Sequence, residues 1–438
     1  MNSVMDDARG AAIGGEASLR LRRKCGEAME IPGKPLSGLA VILLRDGQTA
    51  WEGYFGSRRF PSADENDALP VDAETRWRVA SLSKPVTALG AMRLEADGLL
   101  DLDQDISAYL GYPLRNPHFP GKAITTRMLL GHTSSLRDAG FYYPPLGHAI
   151  RDLLLPGGRY YDEARHFAAP DPFADRSPGA FYAYCNLGYA ILGGIIERLA
   201  KTRFDLYMKQ TIFDPLGIDG GFNPKLLSDN GFRNLSPIYR KCRPESEIWD
   251  GGGPWFAQID DYGGIRPALP VRVPAGQGQA PDLEAYAIGE NGALFSPQGG
   301  MRVRARDLAK IAQFFIEGGK VGEVRIVPES GVSAMMRPGW LRREDGANCE
   351  EEHSPVYATG LGLMRPTGPG GGPALWGHRG NAYGFLGGMF IENPKRRGYV
   401  YMIGGTGADP ERNRDPKSGL TIWEDALGAA IEEALSST

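Results

Sequence analysis

The stretch Arg78-Val79-Ala80-Ser81-Leu82-Ser83-Lys84-Pro85-Val86-Thr87-Ala88 holds the one S-x-x-K tetrad of this chain, Ser81 to Lys84. Side chains three residues apart lie on one face of a helix, so the Ser81 hydroxyl and the Lys84 amine can meet if a helix begins there. Pro85 supports that start, because proline is tolerated in the first turn of a helix and disrupts a helix further in. We therefore predict a helix that begins close to Ser81 and ends at Gly98.

The tetrad has the chemistry of an activated nucleophile. A serine hydroxyl reacts slowly unless a nearby base takes its proton, and a lysine amine can be that base only when it is neutral. A helix N-terminus disfavours the ammonium form and offers N–H groups to a developing oxyanion. Average composition yields about one S-x-x-K by chance in a chain of this length. The alternative is therefore that Ser81 is an ordinary helix cap and Lys84 an exposed helical lysine.

Composition sets limits on the protein class. The chain has 438 residues, of which 42% are hydrophobic, which suffices for two or three lobes. The net charge is -4 and no basic stripe occurs, so nucleic acid is not an expected partner. Residues 1–15 lack the apolar segment of a secretory leader, and no apolar run of about 18 residues follows, so we expect a cytoplasmic protein without membrane contact. Four scattered cysteines without C-x-x-C indicate free thiols.

Periodicity predicts strands at both ends of the chain and helices in the middle. Residues 38–56 read as a hairpin around Asp46-Gly47, whose fully apolar first run is typical of a strand covered on both faces. Further predicted elements are a strand at 75–79, a short helix capped at Thr125, a helix at 187–199 that Asn186 could cap, a helix at 306–317, strands at 385–391 and 399–403, and a C-terminal helix marked by Trp423 and Leu435.

These elements predict an α+β fold, an α/β sandwich with a mainly antiparallel sheet flanked by helices and an inserted, mostly helical domain. Residues 1–36 form an N-terminal extension and first helix. Residues 37–115 and 288–438 together form the sheet domain, and residues 116–287 are the helical and loop-rich insertion. Within the insertion, residues 220–285 show little periodicity and are interpreted as an extended loop region over a site.

Two further motifs carry polar groups suited to acyl chemistry. Tyr184-Cys185-Asn186 is the one Y-x-N in the chain, and its tyrosine could relay protons. Core packing by Tyr184 and helix capping by Asn186 are the plainer alternatives. The third motif is Gly377-His378-Arg379-Gly380-Asn381, which lies before Phe385. As a strand that carries a histidine and an arginine beside the nucleophile, it would supply positive potential and hydrogen-bond donors to an acyl substrate. A polar turn is the plainer alternative there.

The order S-x-x-K, Y-x-N, H-x-G resembles the family of serine β-lactamases, penicillin-binding proteins and related esterases. Tyr184 follows Ser81 by 103 residues and His378 follows it by 297. The resemblance is greatest to the class C β-lactamase-like branch, which includes family VIII-type carboxylesterases, D-aminopeptidases and acyltransferases, and it covers roughly residues 38–435. Flanking text also matches at 98–103 (GLLDLD), 124–136 (ITTRMLLGHTSSL), 186–189 (NLGY) with 192–193 (LG), and 212–217 (IFDPLG). It implies a β-lactamase/transpeptidase-like fold.

The resemblance has departures. Many members carry K-T-G where this chain has His378-Arg379-Gly380, which is more similar to the esterase and peptidase members. The lysine that would pair with a β-lactam carboxylate is missing, and Arg379 is a candidate substitute. Ser228-Asp229-Asn230 matches an S-D-N element but is interpreted as a turn. No catalytic role is assigned to Cys185, and His132 is expected to be structural.

The resemblance implies a two-step acyl transfer that needs no metal or organic cofactor. Ser81 would attack the carbonyl while Lys84, coupled to Tyr184, takes its proton; which of the two is the base stays open. The oxyanion would sit between the backbone N–H groups of Ser81 and Asn381. The catalytic candidates are thus Ser81, Lys84 and Tyr184. The substrate-binding candidates are Asn186, His378, Arg379, Gly380, Asn381, Tyr142 and Trp255, the last two as pocket aromatics.

The expected partner is a small-molecule ester or amide, and the oligomeric state is left open. The first choice is a carboxylesterase, with weak β-lactam hydrolysis left open. The alternative is an amidase or peptidase acting on D-amino-acid or cyclic amides, or an acyltransferase. A non-catalytic protein used for binding or assembly is the third class.

Overall fold

The computed structural model describes residues 12–60, 68–145, 147–243, 248–269, 283, 286–350 and 355–436. The start of the predicted N-terminal extension, residues 1–11, lies outside them. So do residues 244–247, 270–282 and 284–285 of the predicted loop region. No helix in the described part of the chain combines the length and the apolar character needed to cross a membrane.

Helices and strands alternate along the chain. The α-helices are α1 Gly15–Met29, α2 Ser83–Ala96, α3 Ser107–Leu110, α4 Thr126–Leu130, α5 Arg151–Leu154, α6 Asn186–Ala200, α7 Phe204–Met208, α8 Asp229–Arg233, α9 Ala305–Ile316, α10 Glu329–Met335 and α11 Ile422–Ser436. The strands are β1 Gly38–Arg45, β2 Gln48–Arg59, β3 Leu69–Pro70, β4 Arg76–Arg78, β5 Ile238–Lys241, β6 Trp255–Ile259, β7 Arg302–Arg304, β8 Lys320–Val321, β9 Val324–Arg325, β10 Trp340–Leu341, β11 Val356–Thr359, β12 Met364–Pro366, β13 Trp376–Ala382, β14 Phe385–Glu392, β15 Arg397–Ile403 and β16 Gly405–Thr406.

The main sheet joins the two ends of the chain. Within the described residues it has nine strands in the order β10-β11-β12-β13-β14-β15-β1-β2-β3, all antiparallel to their neighbours. The N-terminal hairpin pairs Leu39 with Phe55, and the same Leu39 pairs with Ile403 of β15 on its other side. The predicted antiparallel α+β fold is confirmed. The division at residues 115/116 and 287/288 stays a prediction.

Strand β1 shows how the sheet is held between two helical layers. Its odd-numbered residues, such as Leu39 and Val41, lie in the core that α1 and α11 cover. Its even-numbered residues, such as Ala40 and Ile42, lie in the core that holds α2 and α9. Each leucine or isoleucine buried in this way stabilises the fold by about 1.5–3 kcal/mol. The prediction that this run is covered on both faces is confirmed.

The S-x-x-K stretch departs in one detail from its prediction. Residues Ala80–Leu82 form a single 3-10 turn, and α2 begins at Ser83, two residues later than expected. Pro85 lies in the first turn of α2, as predicted. The helix ends at Ala96, and Gly98 then adopts a φ of 72°, a value that glycine accepts without steric cost.

The region 220–285 contains more regular structure than its sequence predicted. Strands β5 and β6 pair antiparallel, and β16 adds to β5 in parallel. Ser228 caps α8 by accepting a hydrogen bond from the Gly231 N–H at 2.9 Å, so the S-D-N match is a local helix start. The four cysteines, all within described residues, are buried and form no disulfide.

Candidate active site

Ser81 lies on a strained turn between β4 and α2. The preceding residue, Ala80, has a φ of 46°, a left-handed conformation that costs a non-glycine residue about 1 kcal/mol or more. The Ser83 hydroxyl holds the turn, because it donates to the Ala80 carbonyl (2.7 Å) and accepts from the Met301 N–H (3.0 Å). Of the two tetrad serines, Ser83 therefore supports the turn, and Ser81 is left to face the polar groups described next.

Lys84 is fully buried and has three polar neighbours. Its Nζ lies 2.9 Å from Ser81 Oγ, 2.8 Å from Asn186 Oδ1 and 2.9 Å from the Gln298 carbonyl oxygen. Burial lowers the pKa of Lys84 from 10.5 to about 7, and the negative charge of Asp138 only partly opposes this. A large fraction of the Lys84 amine is therefore neutral near pH 7.

Asp138 determines which way the Asn186 amide faces. One Asp138 carboxylate oxygen accepts from Asn186 Nδ2 (2.8 Å), and the other accepts from the Leu187 N–H (2.9 Å) at the start of α6. A carboxylate only accepts, so the nitrogen of the Asn186 amide must face it and the oxygen must face Lys84. The expectation that Asn186 could cap α6 needs correction. No side-chain hydrogen bond from α6 itself caps the helix, and the Asp138 carboxylate accepts from an N–H of the first turn of α6 instead.

This arrangement orients the Lys84 lone pair. A neutral amine has two N–H bonds, and two of its three neighbours, Asn186 Oδ1 and the Gln298 carbonyl, can only accept. The lone pair is then directed at the third neighbour, Ser81 Oγ. The geometry therefore suits transfer of the serine proton to Lys84.

Tyr184 completes the surroundings of the serine hydroxyl. Its hydroxyl donates to Ser81 Oγ at 2.8 Å. Its ring stacks on His132 at 4.5 Å, and His132 Nδ1 accepts from the Cys185 N–H at 3.1 Å. Burial, followed by the nearby Lys84 charge, lowers the pKa of His132 well below 6.5. Neutral His132 thus holds the Y-x-N segment in place.

Strand β13 lies directly beside the Ser81 turn. A Cβ at Gly380 would come within 2.6 Å of the Val79 carbonyl oxygen, so glycine is required for this approach. His378 is buried, with Nδ1 2.6 Å from the Arg379 carbonyl oxygen, and its ring centre is 6.1 Å from that of Tyr184. Burial, then the Lys84 charge, lowers the pKa of His378 from 6.5 to about 3. His378 is therefore neutral at physiological pH.

Arg379 faces the opposite side of the sheet from His378. Its guanidinium donates to the Thr367 carbonyl and lies 5.8 Å from the ring centre of Phe390, which belongs to the core under α1 and α11. The expectation that this strand supplies positive potential therefore needs correction, because His378 is neutral and Arg379 is turned away. The Asn381 side chain is exposed and donates to Glu411 at 3.1 Å.

The two predicted pocket aromatics have different surroundings. Tyr142 is partly buried, and burial, followed by the charge of Asp138, raises its pKa to about 12, while the nearby Gln298 side chain opposes this rise. Trp255 stacks on Phe60 at 5.3 Å and lies 5.7 Å from the Lys241 amine. Tyr142 therefore lies close to residues that surround Ser81. The ring of Trp255 instead contacts Phe60, which follows β2, and Lys241, the last residue of β5.

Comparison with known proteins identifies the family of this chain. A family model described as beta-lactamase matches residues 26–420. The chain belongs to the β-lactamase family. Penicillin-binding protein 4* of Bacillus subtilis (strain 168) is 29% identical over 189 residues, 41% of this chain and 36% of that protein, so the chain spans about a third of that relative's length. Esterase EstB of Burkholderia gladioli is 28% identical over 326 residues, 70% of this chain and 74% of that protein.

A solved structure supports the fold of this β-lactamase-family chain. The D-amino acid amidase from Ochrobactrum anthropi SV3, complexed with D-phenylalanine, aligns with a TM-score of 0.62 at 18% identity and covers 97% of this chain and 100% of that chain. At that identity the likeness concerns the fold. The recognised family resemblance and the β-lactamase/transpeptidase-like fold are both confirmed.

Sequence reasoning missed two positions of this β-lactamase-family site. Asp138 lies 48 residues before Asn186 and belongs to no motif. The Gln298 carbonyl, a backbone group, carries no signal in the residue type. One clue was present for Asp138: the helix start at Asn186 had no acidic residue in its own first turn, where a negative charge is favourable.

Replacing Asp138 with Asn is expected to lower kcat by roughly 10- to 100-fold, the usual effect of losing a charge-assisted hydrogen bond. Two amide nitrogens would compete for one oxygen, and Asn186 could then no longer present its oxygen to Lys84. Removal of the Asp138 charge also lowers the pKa of Lys84, since that charge raises it. The acidic limb of the kcat/KM–pH profile should therefore move to lower pH.

Asp205→Asn is the matched control for that change. Asp205 is buried and also accepts from an asparagine amide, Asn223 Nδ2 at 2.8 Å, within a cluster separate from Ser81. This variant should lose stability without moving the pH limb. An unshifted limb in Asp138→Asn would show that Asp138 does not act through Lys84.

Proposed function

We propose that this chain is a serine hydrolase that forms an acyl-enzyme on Ser81 and acts on carboxylic esters. One observation carries the proposal: Ser81 Oγ lies between a buried amine, Lys84 Nζ at 2.9 Å, and the Tyr184 hydroxyl at 2.8 Å. A serine hydroxyl that only caps a helix needs neither neighbour. Among the described residues Lys84 Nζ has no carboxylate partner, and a buried lysine without one is costly to fold, which favours a catalytic role.

The proposed acylation begins with attack of Ser81 Oγ on the ester carbonyl carbon. The serine proton passes to Lys84, and the carbonyl oxygen becomes an oxyanion between the backbone N–H groups of Ser81 and Asn381. The intermediate collapses as the bond to the leaving oxygen breaks. The proton on Lys84 returns to that oxygen through the Tyr184 hydroxyl, so an alcohol departs and an acyl-Ser81 ester remains.

Deacylation repeats these steps with water. A water molecule in the position of the departed alcohol gives one proton to the Tyr184–Lys84 pair as its oxygen attacks the acyl carbon. The bond to Ser81 Oγ breaks, and the proton is transferred to that oxygen. The products are a carboxylic acid and the original enzyme.

One feature places an ester substrate before an amide: the match to esterase EstB extends over 74% of that protein. The H-R-G element resembles both the esterase and the peptidase members, so it does not separate the two. The neutral His378 and the outward-facing Arg379 also leave β13 without a cation for a β-lactam carboxylate, so β-lactam hydrolysis is expected to be weak. The amide alternative is tested directly below.

A substrate panel tests the proposal. We expect kcat/KM for p-nitrophenyl esters to exceed that for D-amino-acid p-nitroanilides and for a chromogenic cephalosporin, because an aryl oxide leaves more easily than an amine. Each activity is measured beside Ser81→Ala, and an added alcohol acceptor shows whether the acyl group is transferred. Amide turnover above ester turnover would replace the esterase proposal by an amidase, and no Ser81-dependent turnover of any member would contradict both.

A further inference from the structure

Arg78 is a buried cation that has no acidic partner among the described residues. It is the last residue of β4, three residues before Ser81, and 8% exposed. Its Nε donates to the Gly299 carbonyl oxygen at 3.0 Å. Among the residues that the structure describes, no carboxylate lies within 4.0 Å of its guanidinium, the distance of an ion pair. Its two terminal nitrogens are therefore available to a ligand.

The arginines next to Arg78 on β4 and β7 all have the carboxylate partner that Arg78 lacks among the described residues. Strands β4 and β7 pair side by side and carry Arg76, Arg302 and Arg304 besides Arg78. Each of those three has a carboxylate partner: Asp219 for Arg76 at 3.0 Å, Asp260 for Arg302 at 2.8 Å and Asp307 for Arg304 at 2.8 Å. Arg78 alone among these four lacks one.

The carboxylate of Asp260, whose charge acts on Arg78, is already occupied. Both oxygens of Asp260 accept from Arg302, and one of them also accepts from the Tyr262 hydroxyl at 2.8 Å. Arg78, Arg302 and Asp260 together therefore hold one positive charge in excess. Burial, then the neighbouring Arg302, lowers the pKa of Arg78, but a guanidinium stays charged in proteins. An unpaired buried charge costs stability, so an incoming anion would be stabilised there.

Arg78 belongs to the surroundings of Ser81. Its partner Gly299 follows Gln298, whose carbonyl holds Lys84, and a Cβ at Gly299 would lie 3.7 Å from the Ala80 carbonyl carbon. The guanidinium lies 5.7 Å from the ring centre of Tyr383. Tyr383 is 43% exposed and comes two residues after Asn381, at the end of β13 that approaches the Ser81 turn. The guanidinium thus contacts both the segment that holds Lys84 and an exposed aromatic ring.

We propose that Arg78 binds a carboxylate or similar anionic group of the substrate, so that the preferred esters carry a negative charge near the scissile bond. This inference rests on the proposed ester hydrolysis at Ser81. With Nε held by Gly299, the two terminal nitrogens offer the fork that carboxylates accept in bidentate fashion.

Matched ester pairs test the proposal on the wild-type protein. The first pair is mono-p-nitrophenyl glutarate against p-nitrophenyl pentanoate, which places the charge on the acyl side. The second is 4-acetoxybenzoate against 4-acetoxybenzamide, which places it on the leaving group. We expect the anionic member of at least one pair to have the higher kcat/KM, and the pair that responds shows on which side the carboxylate binds. No preference in either pair would overturn the proposal.

Arg78→Met assigns the preference to this residue. It keeps much of the side-chain volume and removes the charge, so kcat/KM for the anionic ester should fall by about 10- to 100-fold relative to the neutral one. Arg304→Met makes the same change of charge on the adjacent strand and should leave the ratio unaltered. If Arg78→Met does not fold, Arg78→Lys, which keeps the charge but loses the fork, should reduce the same ratio.

The outcomes separate this inference from the proposed function. An equal loss for both esters in a folded Arg78→Met variant would mean that Arg78 only supports the 298–300 segment, which contradicts anion binding. Hydrolysis of neutral esters without any charge preference would remove the Arg78 proposal and leave Ser81 chemistry intact. Absence of hydrolysis of every ester would instead contradict the proposed function.

Discussion

Ser81→Ala is expected to lower kcat/KM for esters by at least about 10⁴-fold, because in the described part of the chain no other serine hydroxyl lies within hydrogen-bond distance of Lys84 Nζ. The hydroxyl lies 2.9 Å from Lys84 Nζ and 2.8 Å from the Tyr184 oxygen, and alanine removes the atom on which both converge. Mass spectrometry after incubation with a fluorophosphonate should show one adduct on the peptide that contains Ser81, and no adduct in the variant.

Ser83→Ala is the matched control, because it removes the other hydroxyl of the same tetrad. Ser83 bonds only to the backbone, so its loss should cost stability, by about 1–2 kcal/mol for two hydrogen bonds, while adduct formation persists. Labelling that survives in Ser81→Ala and disappears in Ser83→Ala would mean that the nucleophile has been misassigned.

Lys84→Met is expected to lower kcat/KM by about 10²- to 10⁴-fold, the usual contribution of a positioned general base. Methionine occupies much of the buried volume of the Lys84 side chain but cannot accept the Ser81 proton. Circular dichroism and thermal unfolding check that the variant folds. Lys395→Met, which changes a lysine with a 61% exposed side chain, is the control for the loss of an amine and should retain wild-type activity.

The dependence of the wild-type kcat/KM on pH tests whether neutral Lys84 is the base. Below pH 7 the Lys84 amine is protonated and cannot accept a proton, so kcat/KM should rise with pH and level off above about 7, the lowered pKa of Lys84. Lys84→Met should lose this limb. If Lys84→Met keeps the rise of kcat/KM with pH and also keeps more than a tenth of the wild-type activity, the base is Tyr184.

Much of the fold was predictable because its signals are local. The alternation of β1 between two cores, the turn at Asp46-Gly47 and the strands on either side of residues 393–395 all follow from residues adjacent in the chain. The α2 start was misplaced by two residues, since the strained φ of Ala80 depends on contacts with β13 and the 299–301 segment.

The candidate site was predictable only where a motif names its residues. Ser81, Lys84 and Tyr184 were identified by their motifs, and the structure brings their reactive atoms together. The directions of side chains on β13 were harder to predict. Successive residues of a strand face opposite sides, so His378 and Arg379 could not both face Ser81, but which of them does so depends on how the sheet packs.

The S-x-x-K tetrad by itself determined the chemistry that this chain offers, a hydroxyl and an amine one turn apart, and with the two later motifs it determined the family. Only the tertiary structure decided the electrostatics around that hydroxyl. Burial from all sides makes Lys84 a base near pH 7, and Asp138 orients Asn186 from a loop 48 residues away. Within the described residues Arg78 is left without a carboxylate while its neighbours are paired. Such effects depend on distances between residues remote in the chain, because charge and desolvation act through space.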